Sequence, residues 1–281
     1  MRISSRAPAM GALVLVMLLW GSSFPVTKAA LDHLPPLLFA LLRFAVASAV
    51  LLPLAWMRGG AAALPDPRPW RWMVLMGVTG VALYYVGFNL SLSYTTASQG
   101  AVIQSLVPAA TAVLARVWLG ERIAPRRALG IGVAAVGAAV VVLAAAPGAD
   151  ARDPLLGGVL MLGTVAAWAV YTILGKRVAG ADPLVVTAFS VAVGTVLLVP
   201  AAALEALVRP VAAIPAEGWW SALYLGAGAS AAGYFLYNHA LRTLDASQAA
   251  NFLNLLPVVG VATAVLFLDE ALAPAQLLGG V

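Results

Sequence analysis

Residues 81–121, VALYYVGFNLSLSYTTASQGAVIQSLVPAATAVLARVWLGE, decide the fold, because residues 230–270, SAAGYFLYNHALRTLDASQAANFLNLLPVVGVATAVLFLDE, repeat them. Tyr85, Asn89, Ala97 to Gln99, Pro108 and Glu121 return in the same order as Tyr234, Asn238, Ala246 to Gln248, Pro257 and Glu270, at an offset of 149. Alanine and leucine matches are cheap in an apolar chain; matched tyrosine, asparagine, glutamine, proline and glutamate are not. A period of about half the chain is too long for a solenoid repeat. It implies two equivalent halves, an arrangement that places a binding site at their interface.

Composition names the solvent. The 281 residues are 63% hydrophobic and 10% charged, with a mean hydropathy of +0.97, whereas a soluble domain carries roughly 25% charged residues. The basic residues fall in short gaps between apolar runs and form no stripe with interleaved aromatics, so the sequence predicts a lipid bilayer, not nucleic acid, as the partner. With no cysteine there is neither a disulfide framework nor a thiolate metal site.

Ten apolar runs are long enough to read as spans: about 9–30, 36–57, 71–93, 97–118, 127–146, 155–175, 183–204, 219–241, 246–267, and one opening near Pro274. Only eight residues follow Ala273, so a tenth helix that runs past the given sequence is expected. Turn signals separate the runs at Pro35-Pro36, Pro65-Asp66-Pro67, Pro147-Gly148, Asp182-Pro183 and Pro210. With the N-terminus cytoplasmic, twelve Lys and Arg residues fall inside and three outside (Lys28, Arg152, Arg209), while Arg43 lies within a span. The positive-inside bias therefore predicts an inner-membrane protein with both termini cytoplasmic. Five spans per half is odd, so the halves, 1–146 and 155–281, must be inverted: an all-α membrane protein of ten helices in two inverted five-helix repeats, its last helix incomplete. The first run is not read as a signal peptide, because Trp20 and Lys28 recur as Trp168 and Lys176 and belong to the duplicated unit.

These residues also carry a resemblance. Trp20-Gly21-Ser22-Ser23-Phe24-Pro25, Leu42-Arg43-Phe44, Tyr94-Thr95-Thr96-Ala97-Ser98, Pro108 and Leu119-Gly120-Glu121-Arg122 resemble the EamA-type module of the drug/metabolite transporter superfamily. The second half resembles it through Trp168 to Thr172, Ala246 to Ala250, Pro257 and Leu268-Asp269-Glu270. The resemblance covers essentially the whole chain. It implies ten helices in two inverted halves and export of small metabolites, amino acids among them, by alternating access. Within the superfamily the pattern is similar to exporters of aromatic and other neutral amino acids. One departure is that Val191 stands where Arg43 would map in the second half, so any role of that arginine is not shared.

Polar side chains are costly in hydrocarbon and gather on faces turned to the bundle interior or a wet cavity. Ser230, Tyr234 and Tyr237, flanked by Asn238, share one helical face; Ser247, Asn251 and Asn254 share another. In the third run Tyr84, Phe88 and Ser91 form one stripe, beside Tyr85, Asn89 and Leu92. The expected substrate cavity lies between spans three, four, eight and nine and is closed by spans one and six through Trp20, Ser23, Trp168 and Tyr171. Gln99 and Gln248 complete the set. Rings would bury the apolar part of a solute and amides would fix its polar end. The competing reading is that these groups only hydrogen-bond and pack between helices.

Pro108 and Pro257 lie mid-span, where each frees the carbonyl four residues back, and are read as hinges or as ordinary membrane-helix prolines. Arg43 sits about 12 Å deep by helix rise; it either holds a substrate carboxylate or satisfies carbonyls structurally. His239 is read as an interfacial residue, and Glu121 and Glu270 as gate or loop contacts at opposite faces. No Asp or Glu occupies the middle of a span, and no Walker loop, metal cluster or nucleophile elbow appears. The sequence thus implies no catalytic residue, metal or cofactor, and a facilitated or gradient-driven carrier of small amphipathic solutes. A membrane enzyme acting on a lipid-linked substrate through Arg43 and His239, a channel, and an exporter of nucleobases or drug-like cations are the alternatives.

Overall fold

The computed structural model describes residues 6–64, 69–143, 151–211, 213–268 and 270. The tenth helix expected from Pro274, and the turns at Pro65-Asp66-Pro67 and Pro147-Gly148, lie outside the described residues. Those described form nine helical rods and no β-strand. They are α1 (Ala7–Leu31), α2 (Pro36–Met57), α3 (Trp70–Tyr94), α4 (Ala97–Trp118), α5 (Pro125–Leu143), α6 (Pro154–Arg177), α7 (Pro183–Val208), α8 and α9 (Ala246–Leu268). The eighth, α8, is continuous through Ala216–Leu223, Tyr224–Ala232 and Gly233–Ala240.

Seven of these helices are long and apolar enough to cross a membrane: α1 to α4, α6, α7 and α9. The apolar part of α5 is only Ala128–Leu143, about 24 Å at 1.5 Å per residue, because Arg126 and Arg127 occupy its first turn. In α8, glycine, serine, tryptophan and tyrosine replace the leucines and valines that make the other helices strongly apolar. The protein is a multi-pass membrane protein, with Leu18, Trp56, Met57, Leu143, Val196, Leu207 and Phe267 among the large apolar side chains turned outward.

The helices are interrupted where their sequences demand it, and apart from a break in α1 the interruptions recur in both halves. Pro25 cannot return a bond to Gly21, and α1 breaks at Ser22. A 3₁₀ turn, Gln104–Leu106, precedes Pro108 in α4, and another, Phe252–Asn254, precedes Pro257 in α9. Wide π turns occupy Val78–Leu83 in α3 and Tyr224–Ala232 in α8. Lys28, near the end of α1, donates to the carbonyls of Leu92 and Thr95 (both 2.9 Å). Lys176, ending α6, donates to the equivalent carbonyls of Leu241 (3.1 Å) and Leu244 (2.7 Å). In both halves a lysine therefore satisfies the last, unbonded carbonyls of the neighbouring helix.

Helices α2 and α7 form the main seam between halves. Ser48 and Thr195 hydroxyls meet at 2.9 Å midway along it, and Thr195 also reaches the Phe44 carbonyl at 3.2 Å. At one end the Glu205 carboxylate accepts the backbone N–H groups of Leu37 (2.7 Å) and Leu38 (2.9 Å), capping α2. At the other, Arg58 lies 3.6 Å from Asp182, which caps α7. Apolar side chains gain nothing by leaving lipid for protein, so close approach must supply the packing. Glycines permit it: a Cβ on Gly77 would stand 2.5 Å from the Ser190 carbonyl, and one on Gly194 2.3 Å from Val81.

Replacing Glu205 by alanine should leave two part-buried donors unsatisfied and lower stability by about 1–2 kcal/mol. A detergent-unfolding midpoint unchanged from wild type, and equal to that of the exposed Glu217→Ala control, would count against this cap.

Candidate functional site

Where the two halves meet, four aromatic residues of the first half face four of the second. Trp20 on α1 packs edge-on to its own equivalent, Trp168 on α6, with centroids 4.9 Å apart. Tyr84 approaches Trp168 at 5.3 Å, Tyr85 meets Phe44 at 4.5 Å, and Tyr171, Tyr234 and Tyr237 close the group behind Trp168 at 4.8, 5.3 and 5.5 Å. Edge-to-face contacts of this kind fix ring orientation as well as burying area.

Irregular backbone anchors this cluster. Within the π turn of α3 the Gly80 carbonyl accepts the Tyr234 hydroxyl at 2.5 Å, and within that of α8 the Ala229 carbonyl accepts the Trp20 indole N–H at 2.7 Å. Gly80 and Ala229 are equivalent positions, so each half offers a carbonyl to an aromatic of the other. Glycine is required at two of the contacts. A Cβ at Gly80 would fall 2.1 Å from the Tyr171 ring, and one at Gly233 2.5 Å from Trp20 Nε1.

The cluster walls a central cavity lined by Trp20, Ser23 and Phe24 of α1, Arg43 of α2, Tyr84, Tyr85 and Phe88 of α3, Gln104 and Val107 of α4, Trp168 of α6, and Leu253 and Leu256 of α9. Its free volume is about 20 Å³, room for one or two waters, so the rings are closed on one another. Arg43 is 1% exposed. Its Nε donates to Ser230 Oγ at 2.7 Å and its guanidinium carbon lies 4.5 Å from the centre of the Tyr85 ring. Nη1 and Nη2 have no acceptor among the described residues.

Of the residues expected from sequence to bind substrate, Trp20, Ser23, Tyr84, Tyr85 and Trp168 line this cavity, together with Arg43. Tyr171, Tyr234 and Tyr237 stand behind it. Asn89 donates to the Pro36 carbonyl (2.8 Å), and its equivalent Asn238 donates to Tyr171 Oη (2.7 Å) and Thr187 Oγ1 (2.9 Å), so both amides tie helices together. Gln99 bonds Thr95 and the Pro154 carbonyl beside the start of α4; Gln248 is exposed and closes a capping box with Asp245. Pro108, Asn251 and Asn254 line a separate crevice of about 230 Å³ between α4, α5 and α9. Helices α4 and α9 therefore form a thin partition, presenting Gln104, Val107, Leu253 and Leu256 to the aromatic side and Asn251, Asn254 and Pro108 to the crevice. Spans three, four and nine line the cavity together with spans one and six, α2 adds Arg43, and α8 contributes no lining residue. His239 is exposed at the end of α8.

Gln104 was not among the expected contacts. It is held by Thr164 Oγ1 (2.8 Å) and Met161 Sδ (3.3 Å), and its signal in the sequence was its place four residues before Pro108. Outside the cavity, Glu270 accepts the backbone N–H groups of Ala97 (2.8 Å) and Ser98 (2.9 Å), fastening the chain beyond α9 to the start of α4. On the flank, a trough of about 540 Å³ between α2, α7 and α8 is lined mainly by apolar residues.

With this geometry in hand, comparison with known proteins is informative. The profile of the EamA-like transporter family matches residues 7–143 and again 155–281. An uncharacterized transporter of Archaeoglobus fulgidus is 31% identical over 92% of this chain and 88% of its own length. A probable terminal-alkyne amino-acid exporter of Streptantibioticus cattleyicolor is 31% identical over 97% and 89%. A probable amino-acid metabolite efflux pump of Escherichia coli is 27% identical over 95% and 89%. One solved crystal structure matches with a TM-score of 0.72 over 98% of this chain and 93% of that one, at 21% identity, a likeness of fold alone.

Replacing Gly233 by alanine should displace the Trp20 indole, break its bond to the Ala229 carbonyl and cost about 1–3 kcal/mol. Thermal unfolding in detergent together with the tryptophan emission maximum checks it; an unshifted spectrum and midpoint would contradict the contact.

Proposed function

We propose, from the premise that the chain belongs to the EamA-like transporter family, that it exports small amphipathic metabolites, aromatic and other neutral amino acids foremost, by alternating access through the aromatic cavity. The observation that carries this reading is the contact of Trp20 with Trp168 over a cavity lined from both halves. Equivalent residues touch each other only beside an approximate twofold axis, and a site on such an axis is reached from either face when the halves rock. Trp20, Tyr84, Tyr85, Phe88 and Trp168 supply walls for an apolar body; Ser23, Gln104 and Arg43 supply the polar contacts. The names of the Streptantibioticus and Escherichia relatives, an amino-acid exporter and an amino-acid metabolite efflux pump, support the same solute class.

The finer architecture belongs to this proposal. Ten helices run as two inverted five-helix repeats in a bacterial inner membrane with both termini cytoplasmic, as the charge bias requires. Paired interruptions at Pro108 and Pro257 let α4 and α9 bend, and the rings separate to admit a solute larger than the closed cavity. Glu270 on the capping N–H groups of α4 holds one end of that pair shut. Energy comes from the solute gradient or a coupled ion, and among the described residues no acidic one lines the cavity to relay protons.

In proteoliposomes, labelled L-phenylalanine or L-leucine should show counterflow that Tyr84→Ala and Trp168→Ala reduce at least about 10-fold without loss of folded protein. No counterflow of any neutral amino acid would overturn the solute assignment. Because the chain has no cysteine, Ser23→Cys gives a single label site. Its reaction with an impermeant maleimide added from the Glu270 side should rise severalfold on Glu270→Gln, and an unchanged rate would remove Glu270 as the clasp.

A further inference from the structure

We infer that Arg43 makes this a site for carboxylates bearing an apolar or aromatic tail, with the carboxylate obligatory and an α-ammonium dispensable. The inference rests on the proposed transport reading and sharpens its substrate class. Arg43 is fully buried within α2, where an unpaired charge is costly. Its Nε is committed to Ser230 and one guanidinium face to Tyr85, which together fix the plane of the group. The remaining nitrogens, Nη1 and Nη2, have no acceptor among the described residues, and Arg43 is one of the residues that line the cavity. Two parallel N–H groups on a fixed edge match the two oxygens of a carboxylate.

Among the described residues none supplies a counter-anion: no acidic one lines the cavity, and the buried carboxylates, Glu205 and Glu270, are spent on backbone N–H groups at helix starts. The anion that balances Arg43 therefore enters with the solute, which places its carboxylate toward α2 and α8 and its tail along Tyr84, Phe88 and Trp168. The same lack of acidic side chains leaves an ammonium group without an ionic partner. Val191 at the equivalent position of the second half allows one carboxylate per cavity.

The test uses the purified full chain and tryptophan fluorescence, since Trp20 and Trp168 line the cavity. The probes are L-phenylalanine, 3-phenylpropionate, L-phenylalanine amide and phenethylamine. The two carboxylates should bind with Kd values within about threefold of each other, and the amide and amine at least about 10-fold more weakly. Arg43→Gln should bring the carboxylates to the level of the amide and leave the amide unchanged; the ranking on the unaltered chain decides the matter even if that variant does not fold. Equal binding of phenethylamine and 3-phenylpropionate overturns the inference while the amphipathic-solute reading stands. Binding of phenylalanine alone overturns it too, because the ammonium is then required. If none of the four binds, the aromatic amino-acid reading fails. Butyrate against butyramide then decides: a carboxylate-selective response supports the role of Arg43, and none overturns it.

Discussion

Polar groups inside this bundle are stabilised by partners within the protein, because hydrocarbon offers none. That constraint explains most of what the structure does with its unusual residues. The prolines and π turns that break regular helix bonding release carbonyls, and side chains from other helices take several of them up. Tyr234 takes the carbonyl of Gly80 and Trp20 takes that of Ala229, both within π turns, and Asn89 also donates to the Pro36 carbonyl at the start of α2. Lys28 and Lys176 satisfy the frayed ends of α3 and α8, and Glu205 and Glu270 satisfy the starts of α2 and α4. These bonds join helices distant in sequence, so meeting the polar requirement also builds the tertiary fold.

The aromatic cluster follows from the same economy. Trp20 and Tyr234 put large apolar bodies in the bundle while their polar atoms answer backbone carbonyls, and Tyr171 and Tyr237 pair with the side chains of Asn238 and Thr172. Such rings pack closely, and the result is a closed central cavity at the junction of the halves. Among the described residues Arg43 is the one buried cation left partly unsatisfied. Its Nε and ring contacts orient it, yet Nη1 and Nη2 have no acceptor among those residues. A fixed cation beside aromatic walls is the feature on which the proposed selectivity for a carboxylate end group rests.

Much of this was legible in the chain. The repeated Tyr85/Tyr234, Asn89/Asn238 and Pro108/Pro257 pairs announced two equivalent halves, and both halves carry their π turns and 3₁₀ turns at matching places. Trp20, Ser23, Tyr84, Tyr85 and Trp168 could be nominated because polar and aromatic side chains in a span turn inward. The same rule could not distinguish lining from bracing. Asn89 and Asn238 obey it and brace helices, whereas Gln104, flagged only by its spacing from Pro108, lines the cavity.

What the sequence by itself determined is the solvent, the helical content and the duplication, because hydropathy and residue identity at fixed spacing depend only on local order. What the tertiary structure alone decided is which face of each helix meets which neighbour. That depends on helix rotation, set by glycine contacts such as Gly80 on Tyr171 and Gly233 on Trp20, where a clearance of one methyl group determines how closely two backbones approach. It therefore decided that α2 brings Arg43 to the cavity and that α8 stands behind it. Neither fact has a counterpart in any single stretch of residues, since each arises from side chains nearly two hundred positions apart, as in the bond from Arg43 to Ser230.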